Sequence, residues 1–308
     1  WCNMARFATA CVPGGCDVRP KPASQERATV ARCKPYRQKR QKKLISFPVS
    51  FIMCNFATVY QINVDSNMKY AIIAAGDGSR LAAEGVAEPK PLVRVGGRPL
   101  IDRLLDVFMQ NDAEEIIVIC NDRMSSVVAH LRELQRDGLD GVRLPLRYVV
   151  KTTPSSMHSF FEISRYMGGG AFCVTTVDTI FRPDEFGGYI RAFKSEVSAG
   201  KCQGMMGVTD YIDDEKPLYV QTDEAMGITA FLDTSDSCRY VSAGIYGLTP
   251  SSLPTLDGCM RRGESRMRNF QRAMIADGLV LRAYPFSKVL DVDHASDIQK
   301  AEEFLSAE

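Results

Sequence analysis

From Lys69 onward, the sequence alternates short apolar runs with longer amphipathic stretches. The apolar runs, of about four to eight residues, are typical of strands buried on both faces, and the amphipathic stretches suit helices that cover them. Such alternation is characteristic of a sheet between two layers of helices. We therefore predict an α/β fold with a doubly wound, mostly parallel, Rossmann-like sheet. Sheets of this type bind ligands beyond the carboxyl ends of their strands.

The pattern predicts eight strands, six helices and one late hairpin. The strands are Tyr70–Ala75, Glu115–Cys120, Arg147–Val150, Ala171–Val177, Gly204–Thr209, Arg239–Leu248, Val280–Tyr284 and Val289–Val292. The helices are Pro99–Gln110, Met124–Arg136, Ser155–Tyr166, Pro183–Ser198, Ser265–Asp277 and Ala295–Ser306. The hairpin places Tyr219–Gln221 and Ile228–Leu232 on either side of Thr222–Gly227. No apolar run approaches the length of a membrane-spanning helix.

The first part of the chain differs in charge from the rest. The whole sequence of 308 residues has a formal net charge of +1, but residues 1–68 contain eleven Lys and Arg against three acidic residues, a net charge of +8. The other 27 basic and 34 acidic residues give residues 69–308 a net charge of −7. The first part also lacks sustained apolar periodicity. We predict a basic extension over residues 1–67 and one folded domain over residues 68–308.

Three interpretations of residues 1–67 are open. The basic cluster at residues 39–43 suits an arm that binds nucleic acid or a membrane surface. The apolar stretch Leu44–Cys54 resembles a signal peptide, although Pro48 interrupts it and it is too short to span a bilayer. We favour the third interpretation, a non-native or disordered extension with translation starting at Met68.

The cysteines of the predicted domain are widely spaced and lie mostly in apolar runs. They form no C-x-x-C pair and no spacing typical of a metal site. This usage indicates reduced, packed thiols and a cytoplasmic protein. The residues are Cys120, Cys173, Cys202, Cys238 and Cys259.

A glycine-rich segment follows the first predicted strand directly: Ala74-Ala75-Gly76-Asp77-Gly78-Ser79-Arg80-Leu81. Its two glycines let the backbone approach a phosphate chain and direct N–H groups at the oxygens, and Arg80 can neutralise phosphate charge. The segment lacks the third glycine of a dinucleotide-binding fingerprint and the G-K-[ST] of a Walker loop. It therefore predicts a phosphate site of another type.

Lys90 lies between two prolines, ten residues after Arg80, in Pro89-Lys90-Pro91-Leu92. The stiffened loop holds its ammonium group in a defined direction, which suits phosphate binding. The segment from Val93 to Ile101 then opens a helix, with Pro99 in the first turn. Together, A-A-G-x-G-x-R and P-K-P-L-x-x-V-x-G-x-P-L-I at this spacing resemble the nucleoside-diphosphate-sugar pyrophosphorylase superfamily, the sugar-1-phosphate and related nucleotidyltransferases. Weaker matches extend the resemblance over residues 68–308.

The resemblance implies the nucleotide-diphospho-sugar transferase fold and a nucleotidyltransferase domain over residues 68–308. It implies that Arg80 and Lys90 are the catalytic cations. A later segment, Thr152–Phe160, resembles the part of the family that lies near the nucleotide base, although Ser155 equally suits an ordinary helix N-cap. The residues implied to bind the NTP are Ala75, Gly76, Gly78, Ser79, Arg80, Ser155 and Ser156.

The resemblance also implies Mg²⁺ as cofactor, held by two carboxylates. Asp178 ends a predicted central strand, the position from which a side chain faces the ligand in such a sheet. Asp291 aligns with the second carboxylate of the family, within Leu290-Asp291-Val292-Asp293. We assign Asp293 to the acceptor side or to the N-terminus of the last helix.

The acceptor site is less clearly marked. Val241–Tyr246 matches a family strand of the form N-A-G-I-Y, with Ser in place of Asn, and Gly244 is expected to leave room for the acceptor. Glu215-Lys216-Pro217 resembles the E-K-P that contacts the acceptor phosphate in the family, but this copy precedes the hairpin, and we leave Lys216 out of the site. His158 and His294 receive no role.

These features predict an enzyme that transfers a nucleoside monophosphate from an NTP to a sugar 1-phosphate and releases pyrophosphate. The alternatives are a cytidylyltransferase for an alcohol phosphate such as phosphocholine or inositol phosphate, a relative of the molybdenum-cofactor transferases, and a non-catalytic nucleotide-binding regulatory protein. A nucleic-acid-binding protein rests only on the basic extension, and it predicts salt-sensitive binding. We expect an NTP and a phosphorylated small molecule as partners, and neither nucleic acid nor membrane. The base, the acceptor and the oligomeric state stay open, a homo-oligomer included.

Overall fold

A computed structural model describes residues 68–213, 215–235 and 237–307. The predictions for residues 1–67 lie outside the described residues. The strands are β1 (Met68–Ala74), β2 (Arg94–Val95), β3 (Arg98–Pro99), β4 (Ala113–Cys120), β5 (Leu146–Val150), β6 (Phe172–Thr176), β7 (Thr179–Ile180), β8 (Gly204–Thr209), β9 (Tyr219–Thr222), β10 (Ile228–Leu232), β11 (Tyr240–Leu248), β12 (Leu281–Phe286) and β13 (Leu290–Asp291). The helices are α1 (Ser79–Ala83), α2 (Leu100–Met109), α3 (Ser125–Asp137), α4 (Ser156–Ser164), α5 (Pro183–Ser198), α6 (Leu253–Arg261), α7 (Met267–Ala276) and α8 (Ala295–Ser306). Short 3₁₀ turns cover Lys90–Leu92 and Pro250–Ser252.

The main sheet has nine strands and confirms the doubly wound α/β fold. Four neighbouring strands, β6-β1-β4-β5, form one end of the sheet and are parallel throughout. β11 pairs antiparallel with β6, β8 and β9, and β12 continues parallel to β8. The predicted hairpin is confirmed as β9 and β10. The parallel half thus carries the strand ends at which a ligand site is expected.

Helices cover both faces of this sheet, which explains why its strands are apolar on both sides. In β1, Tyr70 and Ile72 join a core that also contains buried residues of α2, α3, α5 and α8. Their neighbours Ala71 and Ile73 face the opposite core, with buried residues of α4, α6 and α7. Full burial of one such aliphatic side chain is worth about 1.5–3 kcal/mol, so the two cores hold β1 firmly in place.

The parallel pairing of β1 with β6 brings two sequence motifs to one rim of the sheet. Ile73 is the register partner of Thr176, and Val177 N–H donates to the carbonyl of Ile73 at 3.1 Å. The glycine-rich segment after β1 and Asp178 after β6 therefore leave the sheet side by side.

The described residues include five cysteines, all of them free thiols as predicted. Four are buried, and burial raises the pKa of the Cys120 thiol to about 11. The thiol of Cys120 is therefore protonated at neutral pH, which makes it a poor nucleophile. Within the same part of the chain, no helix has the length and apolar character needed to cross a membrane.

An ion pair between α2 and α3 predicts a pH-dependent stability. His130 Nε2 lies 2.6 Å from Oδ1 of the buried Asp102, and this hydrogen bond raises the pKa of His130 above its ordinary value of 6.5 although burial opposes it. The pKa of His130 is thus higher in the folded than in the unfolded protein. The ion pair therefore stabilises the folded protein fully at pH values below the unfolded pKa, and this stabilisation is lost as the pH rises through the folded pKa.

The variant His130→Gln isolates this contribution. Between about pH 6 and about pH 9, we expect the wild type to lose about 1–2 kcal/mol more free energy of unfolding than the variant loses. Urea denaturation at a series of pH values measures the difference. A difference that stays constant with pH would contradict the assignment.

Candidate active site

A pocket of about 460 Å³, here called the glycine-loop pocket, opens at the rim of β1 and β6. It brings together the glycine-rich segment, Lys90, the start of α4 and the end of β6. The sequence-predicted residues that line it are Ala75, Gly76, Gly78, Ser79, Arg80, Lys90, Ser155, Ser156, Asp178 and Asp293.

Gly78 lets the loop lie against Lys90. It adopts φ +60° as the residue that precedes α1, a left-handed conformation that favours glycine. A Cβ atom at this position would lie 3.2 Å from Cβ of Lys90, closer than an ordinary contact. The second glycine of the motif is therefore required by both its backbone conformation and its neighbour.

Lys90 is the centre of the charged groups in this pocket. Its residue is only 9% exposed, and its Nζ lies 2.5 Å from Asp178 Oδ2 and 2.6 Å from Asp293 Oδ1. Burial alone would lower the pKa of Lys90, but the charges and hydrogen bonds of Asp178 and Asp293 outweigh it and raise the pKa above its usual value. The 3₁₀ turn therefore holds a permanently charged ammonium between two carboxylates.

Arg80 joins the same network through Asp293. Its Nη1 lies 2.6 Å from Asp293 Oδ2, so the Asp293 carboxylate holds Arg80 with one oxygen and Lys90 with the other. The sequence assigned Asp293 only to the acceptor side or to a helix terminus. The structure instead places its carboxylate against both predicted catalytic cations.

A second pocket of about 270 Å³, here called the acidic pocket, adjoins the first. Arg80 and Asp293 line both pockets, so their ion pair forms the boundary. Carboxylates outnumber cations in its lining. The charged residues are Arg80, Asp213, Glu215, Asp291, Asp293, Asp297 and Lys300, with His294 beside them.

Asp291 lines the acidic pocket, whereas Asp178 lines the glycine-loop pocket. Their backbones are adjacent, because β13 pairs with β7 so that Asp291 lies opposite Thr179, and Val292 N–H donates to the Asp178 carbonyl at 3.1 Å. Burial, followed by the charges of Asp291 and Asp178, raises the pKa of the Tyr246 hydroxyl. Both carboxylates thus act on one buried phenol, which lines neither pocket.

The arrangement of these carboxylates suits Mg²⁺. Among the described residues, no group of three or more His, Cys, Asp or Glu side chains is placed to hold a metal ion alone. Mg²⁺ keeps several waters and is bound through one or two carboxylates together with substrate phosphates. Asp178, Asp291 and Asp293 supply carboxylates of that kind beside a loop built for phosphate. Mg²⁺ and its ligands stay a prediction.

Ser155 uses its hydroxyl to connect elements. It is the N-cap of α4, accepts from His158 N–H at 3.5 Å and from Arg266 N–H at 3.3 Å, and pairs with His158 Nδ1 at 2.8 Å. These contacts use the hydroxyl's one donor and two acceptor positions. Ser156 also lines the glycine-loop pocket, and its contact with a nucleotide stays a prediction.

Gly244 lies behind the site and lines neither pocket. It adopts φ +69°, and a Cβ atom there would lie 3.2 Å from Oγ1 of Thr179 and 3.5 Å from Oγ1 of Thr176. The glycine thus makes room for the threonines on either side of Asp178. Its neighbours at residues 241–243 line the acidic pocket instead.

Several residues of the acidic pocket were not predicted. Tyr211, Asp213 and Glu215 come from the loop after β8, and Lys300 comes from α8, where its Nζ contacts Asp213 at 2.8 Å and Asp297 at 3.1 Å. Glu215 belongs to the E-K-P sequence that we left out. No local pattern marks these residues, because their proximity depends on the packing of α8 against distant loops.

Comparison with known families agrees with the geometry. Residues 70–213 match the family model of the MobA-like NTP transferase domain, a range that contains the glycine-rich segment, Lys90 and Asp178. Residues 70–213, somewhat less than half of the chain, are therefore similar to the MobA-like NTP transferase domain. This match confirms the superfamily that the two motifs resemble. Asp291 and Asp293 lie beyond the matched residues.

Individual proteins are similar to this chain over segments shorter than the match to the MobA-like NTP transferase domain. The glucose-1-phosphate cytidylyltransferase of Salmonella typhimurium is 34% identical over 53 residues, which are 17% of this chain and 21% of that protein. The glucose-1-phosphate thymidylyltransferase of Neisseria gonorrhoeae is 32% identical over 121 residues, 39% of this chain and 40% of that protein. The matches therefore span less than half the length of either relative.

A solved structure extends the fold similarity beyond the MobA-like NTP transferase domain. The inositol-1-phosphate CTP transferase from T. maritima superposes with a TM-score of 0.62 at 20% sequence identity, covering 78% of this chain and 96% of that one. This likeness shows that the two chains share a fold over a larger part of this chain than residues 70–213.

Proposed function

We propose that this protein transfers a nucleoside monophosphate from an NTP to the phosphate of a sugar 1-phosphate and releases pyrophosphate. One observation carries the proposal: the Lys90 ammonium contacts both Asp178 and Asp293 at the floor of a pocket whose wall is the glycine-rich segment. The match of residues 70–213 to the MobA-like NTP transferase domain supports the same reaction class.

The glycine-loop pocket suits the triphosphate. Gly76 and Gly78 let backbone N–H groups approach phosphate oxygens, and Arg80 and Lys90 supply the positive charge that a triphosphate needs. The adjoining acidic pocket then suits the hydroxyl groups of the acceptor, because carboxylates accept hydrogen bonds from hydroxyl groups. The acceptor phosphate would lie at the boundary between the pockets, beside Arg80. An acceptor phosphate at this boundary lies next to the NTP α-phosphate.

The proposed reaction is an in-line displacement at the α-phosphorus. An acceptor phosphate oxygen forms the new P–O bond, the bond from the α-phosphorus to the β-phosphate oxygen breaks, and its electron pair leaves with pyrophosphate. Lys90 and Arg80 stabilise the charge that grows on the phosphate oxygens. Mg²⁺, held by Asp178 and Asp291, would supply further charge neutralisation and orient the phosphates. No protein nucleophile is required.

A second candidate acceptor is an alcohol phosphate. The hairpin position where the superfamily resemblance leads us to expect an acceptor-binding lysine holds Asp233, whose Oδ1 contacts Arg268 at 2.7 Å and Arg272 at 2.8 Å. Asp233 lines neither pocket. The acceptor phosphate would therefore rely on Arg80 and Lys300. The structural similarity to an inositol-1-phosphate CTP transferase supports an alcohol phosphate as the second candidate.

A pyrophosphate-release screen tests both candidates. The four NTPs are each combined with sugar 1-phosphates and with alcohol phosphates, with and without Mg²⁺. Turnover with one NTP and a sugar 1-phosphate is the expected result, and turnover only with an alcohol phosphate would select the second candidate. Nucleotide binding without turnover in any combination would indicate a regulatory protein instead.

A further inference from the structure

Glu84, at the end of α1, connects this helix by hydrogen bonds to the segment that contains Asp293. Its Oε1 lies 2.6 Å from His294 Nδ1, and its Oε2 accepts from Ala295 N–H at 2.6 Å. Both carboxylate oxygens are therefore bound to the start of α8, more than 200 residues further along the chain.

The same two segments also meet at the ion pair between Arg80 and Asp293. Glu84 caps the C-terminus of α1, and its N–H donates to the carbonyl of Arg80 within that helix at 3.1 Å. His294 follows Asp293 directly in the sequence. The contact of Arg80 with Asp293 faces both pockets, whereas Glu84 lines neither of them.

These two contacts respond differently to substrate. A triphosphate competes for Arg80, and the Arg80–Asp293 pair, with side chains 54% and 37% exposed, gains little from its own attraction. Binding thus opens the inner contact. His294 lines the acidic pocket, but Glu84 and Ala295 line neither pocket. The bond from Ala295 N–H to the Glu84 carboxylate is therefore outside the reach of the substrates, and it keeps α1 against the Asp293 segment.

We propose that Glu84 is a positioning residue. It keeps Arg80 and Asp293 in place relative to each other when substrate contacts replace the ion pair between them. This role rests on the proposed function for its effect on turnover. A displacement of about 1 Å in such a site costs on the order of 10²-fold in rate.

Three variants of the full chain separate positioning from general stability. Glu84→Ala removes both contacts. Glu84→Gln keeps an oxygen acceptor for Ala295 N–H. In the wild type His294 Nδ1–H donates to the carboxylate, whereas in the variant the glutamine NH₂ donates to Nδ1 of the other neutral tautomer. The matched control is Glu88→Ala, because Glu88 is an exposed glutamate in the same loop that lines neither pocket.

We expect Glu84→Ala to lower kcat about 10²-fold with the KM for the NTP changed by less than about fivefold, and Glu84→Gln to recover kcat to within about fivefold of wild type. Glu88→Ala should match the wild type. A merely structural role lowers the melting temperature and leaves kcat of the folded protein unchanged, and that result would overturn the proposal. Equal losses of kcat in Glu84→Ala and Glu84→Gln would also overturn it.

Hydrogen–deuterium exchange on the ligand-free protein gives a readout that does not depend on activity. Glu84→Ala should speed exchange in residues 79–83 and in residues 293–297 together, and Glu88→Ala in neither. Unchanged exchange in both segments of Glu84→Ala would overturn the proposal. If the wild type releases no pyrophosphate in the screen, the proposed function fails, and exchange alone decides whether Glu84 couples the segments.

Discussion

Replacing Lys90 with alanine is expected to lower kcat for pyrophosphate release by at least about 10²-fold, the loss typical of removing one group that stabilises charge in a transition state. Lys90 Nζ lies within 2.6 Å of Asp178 and Asp293 at the floor of the glycine-loop pocket. Its removal leaves two neighbouring carboxylates facing an incoming triphosphate without the intervening cation. Without the Lys90 ammonium, no neighbouring positive charge at this position offsets the repulsion between the two anionic reactants or the negative charge of the transition state.

Steady-state kinetics with separate kcat and KM values measures this effect. The matched control is Lys201→Ala, because Lys201 pairs with Glu196 at 3.3 Å and lines neither pocket. Circular dichroism and a thermal melt establish that both variants fold. A Lys90→Ala protein that keeps kcat within about threefold of wild type would reject the catalytic role of this lysine.

Periodicity was sufficient for most of the fold. The bounds predicted for α5, α8 and β8 agree with the structure, because Pro183 opens its helix and the amphipathic patterns are unbroken. The helix α6 was not among the predicted helices, and its short sequence contains Pro254 and Gly258. Proline is tolerated in the first turn of a helix, where Pro254 lies, and the burial of Leu256 and Cys259 then stabilises the helix.

The sequence predicted the local parts of the site better than the distant contacts. Gly76 to Arg80 and Lys90 lie within one short stretch, so a motif could place them together. The contacts between Glu84 and His294 join residues far apart in the chain, and no periodicity indicates such a pair. Sequence reasoning therefore found the phosphate loop but not the link that holds it to α8.

The positive charges in the glycine-loop pocket are balanced by neighbouring carboxylates. Arg80 and Lys90 are bound to Asp178 and Asp293, so two cations and two carboxylates balance one another. A triphosphate and Mg²⁺ offer each of these groups a stronger partner of opposite charge. We propose that substrate loading exchanges these pairs, with the cations turning to phosphate and the carboxylates becoming available to the metal ion.

This exchange gives the carboxylates of the Asp291-Val292-Asp293 segment separate roles that kinetics can distinguish. Asp178→Asn and Asp291→Asn should each lower kcat on the order of 10³-fold and raise the Mg²⁺ concentration needed for half-maximal activity, since each removes a proposed metal ligand. Asp293→Asn should lower kcat by releasing Arg80 and Lys90, while leaving that Mg²⁺ concentration unchanged. Asparagine has nearly the same shape as aspartate, so each change tests charge alone.

Magnesium titrations of the three variants are compared with Asp257→Asn, whose carboxylate pairs with Arg261 at 2.7 Å on α6, outside both pockets. If Asp293→Asn shifts the Mg²⁺ requirement and Asp291→Asn does not, the second ligand is Asp293. The structure offers a reason for this alternative assignment of the second ligand, because Asp293 and Asp178 both contact the Lys90 ammonium. Alternation along an extended segment directs residues 291 and 293 to the same side, so their side-chain contacts, and not the sequence pattern, must decide between them.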